Sequence, residues 1–543
     1  MAAVRRGQGP LSLNLPSAPS SNDLPPISAL FLIYFDIKAG YTIGWKRSIP
    51  GIELEGVVEY KSLPSGLHTV KEDLIYYVHD NHAGLSAFVN APAAEESRNA
   101  RMIAVGVMVP LSYGRLGRAW RHADSLKEMA SKLIVDPSDT KILEEFWEEH
   151  KPRGNSNDKE TDSLLDSPST PKFQPISVTS AQPKGHGRNR SVSDGTTLLP
   201  PGQNLSAYHP AWSLPRLLET FGPLMFPIHR AALLRKRILI TAHAPVEETC
   251  NFVYDLSLLS NIPLAVSDLL STNAPPQRLR PLFSIGVHDI PLLEEDLRAS
   301  KAAATTPGSE NTYSRDEQGC GWIACTTDSI LAMKSTLYDV LITMPPPYSD
   351  GAAEKVWPKV ESPQGTEMQA TQRDLRRYRA LRWGLSRNES NPSSPTSARR
   401  TSTASQEERL RLTSSSSPPR DDPMLDIPDT DSIIEPLSWS ALAYSGFMWW
   451  ASAGEQRLHS DEEAESDSAL LSGLSLSPST PQTTRNLNRL SASSNRPEEQ
   501  AKVEMGIIAY FHRMTTMILT TLSDIVDATD SDDEREEEGL TGD

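Results

Sequence analysis

The apolar residues of this chain are gathered into blocks that are separated by long stretches rich in serine and proline. Of 543 residues, 43 are proline and 6% are aromatic, yet 38% are hydrophobic. Stretches without apolar residues cannot bury enough surface to offset the entropy lost on folding. We therefore expect folded blocks joined by disordered segments. This organisation excludes a compact single-domain enzyme, a fibrous protein and a multi-span membrane protein.

The first folded block is predicted at residues 27–150, after a disordered start over residues 1–26. A continuous apolar run of strand length, Ala29–Phe35, opens the block. The strand-like runs that follow are Gly56–Tyr60, Asp73–Val78, Leu85–Val89 and Met102–Val109. Helical periodicity then predicts helices from about Tyr113 to Leu133 and over Thr140–His150. About five strands followed by helices indicate an α/β domain.

A second α/β domain is predicted over residues 208–347, beyond a disordered linker over residues 151–207. Helical and strand-like patterns alternate in it, which indicates helices packed on a sheet. The predicted helices are Leu224–Leu234 and Val246–Leu259, and the predicted strands are Ile238–Thr241, Leu282–Val287, Trp322–Cys325 and Tyr338–Thr343. The fold class predicted for the chain is therefore α/β.

The remaining residues are predicted to form helices separated by spacers. A spacer with a basic helix occupies residues 348–386, and residues 387–430 and 454–498 are predicted to be disordered. Between them, residues 431–453 carry two apolar stripes, which is typical of a buried helix. Apolar residues at spacings of three and four predict a last helix over 499–527 that folds back onto the body.

The net charge of −17 is concentrated at the C-terminus. Residues 524–543 hold ten acids and one arginine, so an acidic tail over residues 528–543 ends a body that is only mildly acidic. Binding to nucleic acid depends on dense lysine and arginine that displace counterions from phosphate. We therefore expect no nucleic-acid partner.

No motif that positions a catalytic nucleophile, a phosphate or a metal occurs in the sequence. Cys320 and Cys325 lack nearby histidines and are predicted to be buried thiols rather than zinc ligands. We expect no catalytic residue, no covalent catalysis, no cofactor and no metal. An enzyme with a site scattered along the chain is the alternative.

The sequence also favours a cytoplasmic location. The chain has three cysteines, Cys250, Cys320 and Cys325. An odd number cannot all form disulfides with one another within the chain, which is typical of a protein in a reducing compartment. Met1–Asn22 lacks the apolar core of a signal peptide, and Leu437–Ala453 is too short to span a bilayer.

Residues 373–387 combine an apolar stripe with six arginines and one acid, which is typical of a helix that lies on anionic lipid. The candidate membrane-contact residues are Arg373, Arg376, Arg377, Arg379 and Arg382. The alternative is a surface helix whose arginines pair with nearby acids.

Three serines are candidate phosphorylation sites. Ser191 and Ser193 each follow an arginine by three residues, which suits basophilic kinases, and Ser531 precedes an Asp-Asp-Glu run that suits acidophilic kinases. The alternatives are ordinary low-complexity sequence around the first two and a purely solvating tail around the third.

Several segments resemble proteins of the DENN family. In the first block they are Ala29–Gly40 with Gly44-Trp45, Glu55–His68, Asp73–Tyr77, Gly84–Asn90 and Arg101–Gly106. In the second block they are Phe221–Phe226, Ala231–Ile240, Gly321–Ile330 and Leu337–Ile342. The pattern is most similar to the LCHN branch of the family in its fungal form.

The resemblance implies a longin-like module, a central DENN module and a helical C-terminal module. It also implies a regulator of membrane traffic, by analogy a guanine-nucleotide exchange factor for a Rab-type small GTPase. A non-catalytic adaptor is the alternative, because fold alone does not determine function. Some fungal relatives are linked with lipid droplets, which implies a peripheral location on membranes or droplets. No motif marks the residues that contact the GTPase.

Limited proteolysis tests this organisation. A broad-specificity protease is expected to cut first within residues 151–207, 387–430 and 454–498, because disordered backbone fits a protease site without unfolding. Mass spectrometry of the earliest fragments measures the order of cutting. Early cuts inside residues 27–150, with the three segments intact, would contradict the prediction.

Overall fold

The computed structural model describes residues 24–36, 40–92, 100–152, 208–270, 278–305, 320–352, 354–389, 430, 432–436, 453–471 and 497–540. Within these residues the strands are β1 (Ala29–Asp36), β2 (Gly40–Ser48), β3 (Glu72–His79), β4 (His82–Pro92), β5 (Ala100–Pro110), β6 (Ile238–Thr241), β7 (Arg280–Ser284), β8 (Trp322–Thr326), β9 (Val340–Thr343) and β10 (Lys359–Glu361). They form one mixed sheet in the order β10-β9-β6-β8-β7-β3-β4-β5-β1-β2.

The helices in the same residues are α1 (Val58–Lys61), α2 (Ala123–Leu133), α3 (Lys141–His150), α4 (Leu214–Phe221), α5 (Met225–Leu233), α6 (Glu247–Leu259), α7 (Ile290–Thr305), α8 (Ser329–Met333), α9 (Gln372–Glu389), α10 (Ala453–Leu471) and α11 (Pro497–Leu540). The predicted α/β fold class is confirmed.

The two predicted blocks contribute different halves of the sheet. Strands β1 to β5 pair antiparallel in the order β3-β4-β5-β1-β2, and hairpins connect β1 to β2, β3 to β4 and β4 to β5. Strands β6 to β9 pair parallel, as expected where helices connect them. One sheet therefore spans both blocks, while their division into separate domains stays a prediction.

One large core extends from the first block to the last helix. It includes Leu74 of β3, Leu126 of α2, Phe252 of α6 and Phe511 of α11, each fully or nearly fully buried. A smaller cluster around Leu293 and Trp322 lies beneath α7 and α8. The predicted fold-back of the last helix onto the body is thus present in the structure.

Two local predictions for the first block were wrong because of glycine conformations. Gly56 has a φ of +75°, and it turns the predicted strand Gly56–Tyr60 into the start of the short helix α1. The helix predicted from Tyr113 begins only at Ala123, since Gly114 and Gly117 also adopt positive φ values. A further strand, β2, was not predicted, because its half-exposed residues form no apolar run.

The structure also differs from the predictions for the last third of the chain. Helix α10 lies inside the segment predicted to be disordered, and its Leu470 is only 2% exposed. Helix α11 continues beyond residue 527 into the predicted acidic tail. The buried helix predicted over 431–453 lies outside the described residues except for 432–436 and 453, and residues 153–207 of the linker also lie outside them.

Helix α11 is held to the second block by Phe511 and His512. The Phe511 ring lies 5.8 Å from the Phe226 ring and 5.0 Å from the His229 ring, and His512 is hydrogen-bonded to the carbonyl of Leu258 at 3.1 Å. Burial lowers the pKa of His512 to about 4, so its imidazole is neutral near pH 7.

Replacing Phe511 by alanine is expected to lower the free energy of unfolding by about 3–5 kcal/mol, because a fully buried ring is removed. Leu522→Ala on the same helix is the control. Its side chain is 52% exposed, so its loss should cost no more than about 0.5 kcal/mol. Urea unfolding followed by circular dichroism measures both, and equal effects would contradict the docking of α11.

Candidate functional site

The candidate site lies where the two halves of the sheet meet, at the join between β3 and β7. A single backbone pair, Tyr77 with Phe283, connects these strands. Phe283 is buried with a φ of +59°, and the register of β7 shifts beside it. Such a bulge reorients a strand, and it lets β7 pair parallel with β8 on one side and antiparallel with β3 on the other. We call this join and the polar contacts around it the seam.

A buried ion pair crosses the seam. Lys61 at the end of α1 binds Asp289 at 2.5 Å, and their side chains are only 9% and 7% exposed. The Lys61 ammonium also donates to the carbonyl of Val78 at 3.0 Å. The second carboxylate oxygen of Asp289 accepts from the amide of Gly286 at 2.9 Å. Because both charges are paired and hydrogen-bonded, removing one partner would leave the other charge buried and uncompensated.

Asp73 of β3 makes a second contact across the seam. Its carboxylate accepts hydrogen bonds from the amides of Val246 and Glu247 at 2.8 and 3.1 Å, and from Leu74 at 2.9 Å. Val246 and Glu247 lie at the N-terminus of α6, so a residue of the first block caps a helix of the second. Burial raises the pKa of Asp73 to about 7, although the three amide hydrogen bonds oppose that shift.

The carboxyl ends of the parallel strands lie beside the same seam. Ser65 donates a hydrogen bond to Asp328, which follows β8, and Asp328 also accepts from the amide of Val287 after β7 at 3.3 Å. In open α/β sheets, the loops after parallel strands are the usual place for ligand and partner sites.

Exposed aromatic and apolar side chains surround these loops. The Tyr60 ring is stacked on the His288 ring with centroids 3.8 Å apart, and Tyr60 is 46% exposed. Ile330, two residues beyond Asp328, is 50% exposed. We call Tyr60, Ser65, His288, Asp328 and Ile330 the seam surface. It combines loops that are connected by buried contacts with an exposed tyrosine, a residue type that is enriched at protein interfaces.

The blocks also meet at an aromatic cluster away from the seam surface. Trp120 contacts His209 and Tyr254 edge to face, at centroid distances of 4.7 and 5.9 Å. The Arg115 guanidinium donates to Ser257 of α6 at 3.1 Å. Contacts at two separate places resist rotation of one block against the other.

The cysteines are buried, as the sequence predicts. Cys250 and Cys325 lie with their Sγ atoms 3.6 Å apart, and burial raises the pKa of the Cys250 thiol. A desolvated thiol of this kind is a poor nucleophile. Within the described residues, no group of three or more His, Cys, Asp or Glu side chains could hold a metal ion.

Three of the predicted membrane-contact arginines form ion pairs with α10. Arg373 contacts Glu463 and Asp467 at 3.2 and 3.4 Å, Arg377 contacts Asp467 at 2.9 Å, and Arg376 lies 3.9 Å from Glu463. This geometry favours the predicted alternative, in which the arginines pair with acids. Membrane contact stays a prediction.

The other two arginines of this set lie farther along α9. Arg379 is exposed, and the Arg382 guanidinium lies 5.9 Å from the centre of the Tyr378 ring. Among the helices that the structure describes, none is long and apolar enough to cross a membrane. Of the candidate phosphorylation sites, Ser531 lies on α11, whereas Ser191 and Ser193 lie outside the described residues.

Sequence reasoning missed the residues of the seam. Its one available signal was Asp73, an acid at the start of the apolar run Leu74–Val78. A charge beside a buried strand requires a partner. That partner is the N-terminus of a helix more than 170 residues away, and no local pattern identifies it.

Comparison with known proteins covers both blocks and the C-terminal helices. The family model for "DENN domain-containing protein 11" matches residues 30–354, and a second model, "Domain of unknown function (DUF4484)", matches residues 434–542. The first match contains the whole seam.

Relatives occur in animals and fungi. DENN domain-containing protein 11 of Xenopus laevis is 31% identical over 322 residues, which are 58% of this chain and 59% of that protein. The Danio rerio protein of the same name is 30% identical over 58% of this chain and 53% of its own length. The uncharacterized protein ANR2 of Saccharomyces cerevisiae is 25% identical over 67% of this chain and 66% of its own. The chain thus spans less than two thirds of the vertebrate relatives.

The role of Asp73 can be tested through stability. Asp73→Ala removes a buried helix cap and leaves two amides of α6 without their acceptor, so we expect a loss of about 1–3 kcal/mol in the free energy of unfolding. Asp73→Asn keeps an acceptor oxygen and should lose less. A cost below about 0.5 kcal/mol for Asp73→Ala would contradict the cap.

The raised pKa also predicts a pH dependence. An unfolded aspartate titrates near pH 3.9 and folded Asp73 near 7, so between these values the folded protein binds the extra proton. The stabilisation from this proton is present at about pH 4 and lost as the pH rises through about 7. Wild type should therefore lose more stability than Asp73→Asn between about pH 5 and pH 8, as measured by urea unfolding. Equal losses would contradict the raised pKa.

Proposed function

The chain belongs to the DENN domain-containing protein 11 family, and from this premise we propose that it promotes GDP release from a Rab-type small GTPase. DENN-domain proteins are generally regulators of Rab GTPases. Membership therefore supports the class of partner, and the identity of the GTPase is left to experiment.

Nucleotide exchange suits a protein without reactive chemistry. An exchange factor accelerates GDP release by binding the nucleotide-free GTPase more tightly than the GDP-bound form, and only this difference in affinity shifts the equilibrium. Phosphate and Mg²⁺ hold the switch segments of small GTPases, and these segments are the natural elements for a partner to displace. The proposal thus requires a rigid surface rather than a nucleophile or a metal.

The seam is the observation that carries the proposal. The buried Lys61–Asp289 pair and the capping of α6 by Asp73 fix the two halves of the sheet at the point where their loops converge. A surface fixed in this way loses little conformational entropy on binding, which leaves more of the interaction free energy for the partner.

Within the seam, the stacked Tyr60 and His288 rings and the neighbouring Ile330 are the contact residues that we propose. Tyrosine is enriched among residues that dominate binding energy. Ser65 and Asp328, which are hydrogen-bonded to each other, would belong to the polar rim of the contact. The loops of both halves of the sheet would then touch one GTPase together.

A peripheral adaptor is the second candidate function. It is favoured by the exposed Arg376 and Arg379 on α9, which are placed to attract anionic lipid headgroups. In this role the protein would act from the cytoplasm, on membranes of the traffic system or on lipid droplets, without nucleotide exchange.

Exchange activity is tested with a panel of Rab-type GTPases loaded with fluorescent GDP. The full chain at micromolar concentration is expected to accelerate GDP release from at least one member. Tyr60→Ala combined with Ile330→Ala should reduce that acceleration by about tenfold or more, because two central contacts are lost. Tyr348→Ala is the control, since this tyrosine is 85% exposed and lies outside the seam surface.

The outcomes separate the two functions. No acceleration for any member, with or without membranes, would leave the adaptor as the better account. If the doubly substituted protein still accelerates GDP release, the exchange activity is supported. The seam surface would then be wrong as the site that contacts the GTPase.

A further inference from the structure

Helix α10 places its acids on the arginine side of α9. Both Arg373 and Arg377 contact the same carboxylate oxygen of Asp467, and Arg373 and Arg376 contact the two oxygens of Glu463. The side chain of Arg377 is only 10% exposed and that of Asp467 24%. Two carboxylates of one helix thus pair with three of the arginines that the sequence marks as a membrane contact.

The C-terminal end of α10 is also attached to the core and to α11. Leu470 is buried and Leu471 is partly buried against the main core, and Arg513 of α11 donates to the carbonyl of Leu470 at 2.9 Å. Four residues earlier in the helix, 462–465, are all exposed. The attachment therefore combines one apolar end with four ion pairs, of which the two that Glu463 makes are open to solvent. Such ion pairs contribute little to stability and weaken as salt rises.

The arginine face includes side chains that α10 covers little or not at all. Arg376 has a side chain that is 68% exposed, and Arg379 is exposed one turn farther on. From Arg373 to Arg379 the helix rises about 9 Å, and Arg373, Arg376 and Arg379 follow one another at intervals of three residues along this stretch. A row of arginines matches a surface that carries many phosphates, and each arginine near an anionic leaflet adds to the attraction.

We propose that this face of α9 binds an anionic phospholipid bilayer and that α10 masks it, with Glu463 and Asp467 in place of the lipid phosphates. The inference rests on the membrane contact proposed above and adds its regulation. Because the pairs that Glu463 makes are exposed and salt-sensitive, a dense layer of phosphates can compete with α10 for Arg373 and Arg376. Release of α10 would uncover Arg373 and Arg377 in addition to the arginines that are already exposed.

The test measures binding of the full chain to phosphatidylcholine vesicles with and without phosphatidylserine. Glu463→Gln with Asp467→Asn removes the mask and is expected to raise affinity for the anionic vesicles by about fivefold or more. The control is Glu145→Gln with Glu465→Gln, which removes the same charge at exposed positions outside the ion pairs. Circular dichroism verifies that each variant is folded.

Arginine variants complete the design. Adding Arg373→Gln and Arg377→Gln to the unmasked protein should abolish its gain in vesicle binding, because the mask covers these two arginines, and rising salt should do the same. The proposal is supported if the unmasked protein gains affinity for anionic vesicles, if the control variant does not, and if the gain is lost when these arginines are replaced.

Three results would overturn it. If wild type and the unmasked protein bind equally and both depend on the arginines, the membrane contact stands and the mask is wrong. If no variant binds anionic vesicles, the membrane contact itself is wrong. If soluble inositol phosphate binds the unmasked protein and vesicles do not, the face is a site for a soluble anion. GDP exchange is measured separately, so none of these results bears on it.

Discussion

The structure depends on a short join between two different kinds of sheet. Within the described residues, one backbone pair, Tyr77 with Phe283, connects β3 of the first block to β7 of the second. Side chains supply the rest: Lys61 reaches Asp289, and Asp73 caps α6. Buried charges of this kind are costly unless their partners are in place. The two halves therefore hold a defined orientation, and the positions of the loops around the seam follow from it.

This constraint connects the fold to the proposed activity. A protein that binds one state of a GTPase in preference to another needs a surface that does not adapt equally to both. At the seam, Tyr60 of the first block and His288 of the second block are stacked ring on ring. Farther along the chain, four ion pairs connect α9 to α10, and the two that Glu463 makes are exposed and can be exchanged. The seam, which is held by buried contacts, suits recognition of a partner. The exposed ion pairs between α9 and α10 suit regulation.

Local patterns in the sequence predicted much of the fold. Buried strands such as Ile238–Thr241 form continuous apolar runs, and the sequence located that strand at its exact bounds. Elements without such a pattern were missed: β2 is half exposed, and the polar helix α10 depends on arginines about 90 residues away. The seam could not be predicted for the same reason. Lys61 and Asp289 are 228 residues apart, and only the folded chain brings them together.

Native-state hydrogen exchange at increasing urea tests most directly the claim that the seam unites the two halves of the sheet. Amides of β5 in the first block and of β8 in the second lie far from each other in sequence, so nothing local links their protection. If the seam makes one cooperative unit, both sets should open with the same free energy at the higher urea concentrations, and Asp73→Ala should lower both equally. Protection of β5 that persists while β8 exchanges freely would contradict the account.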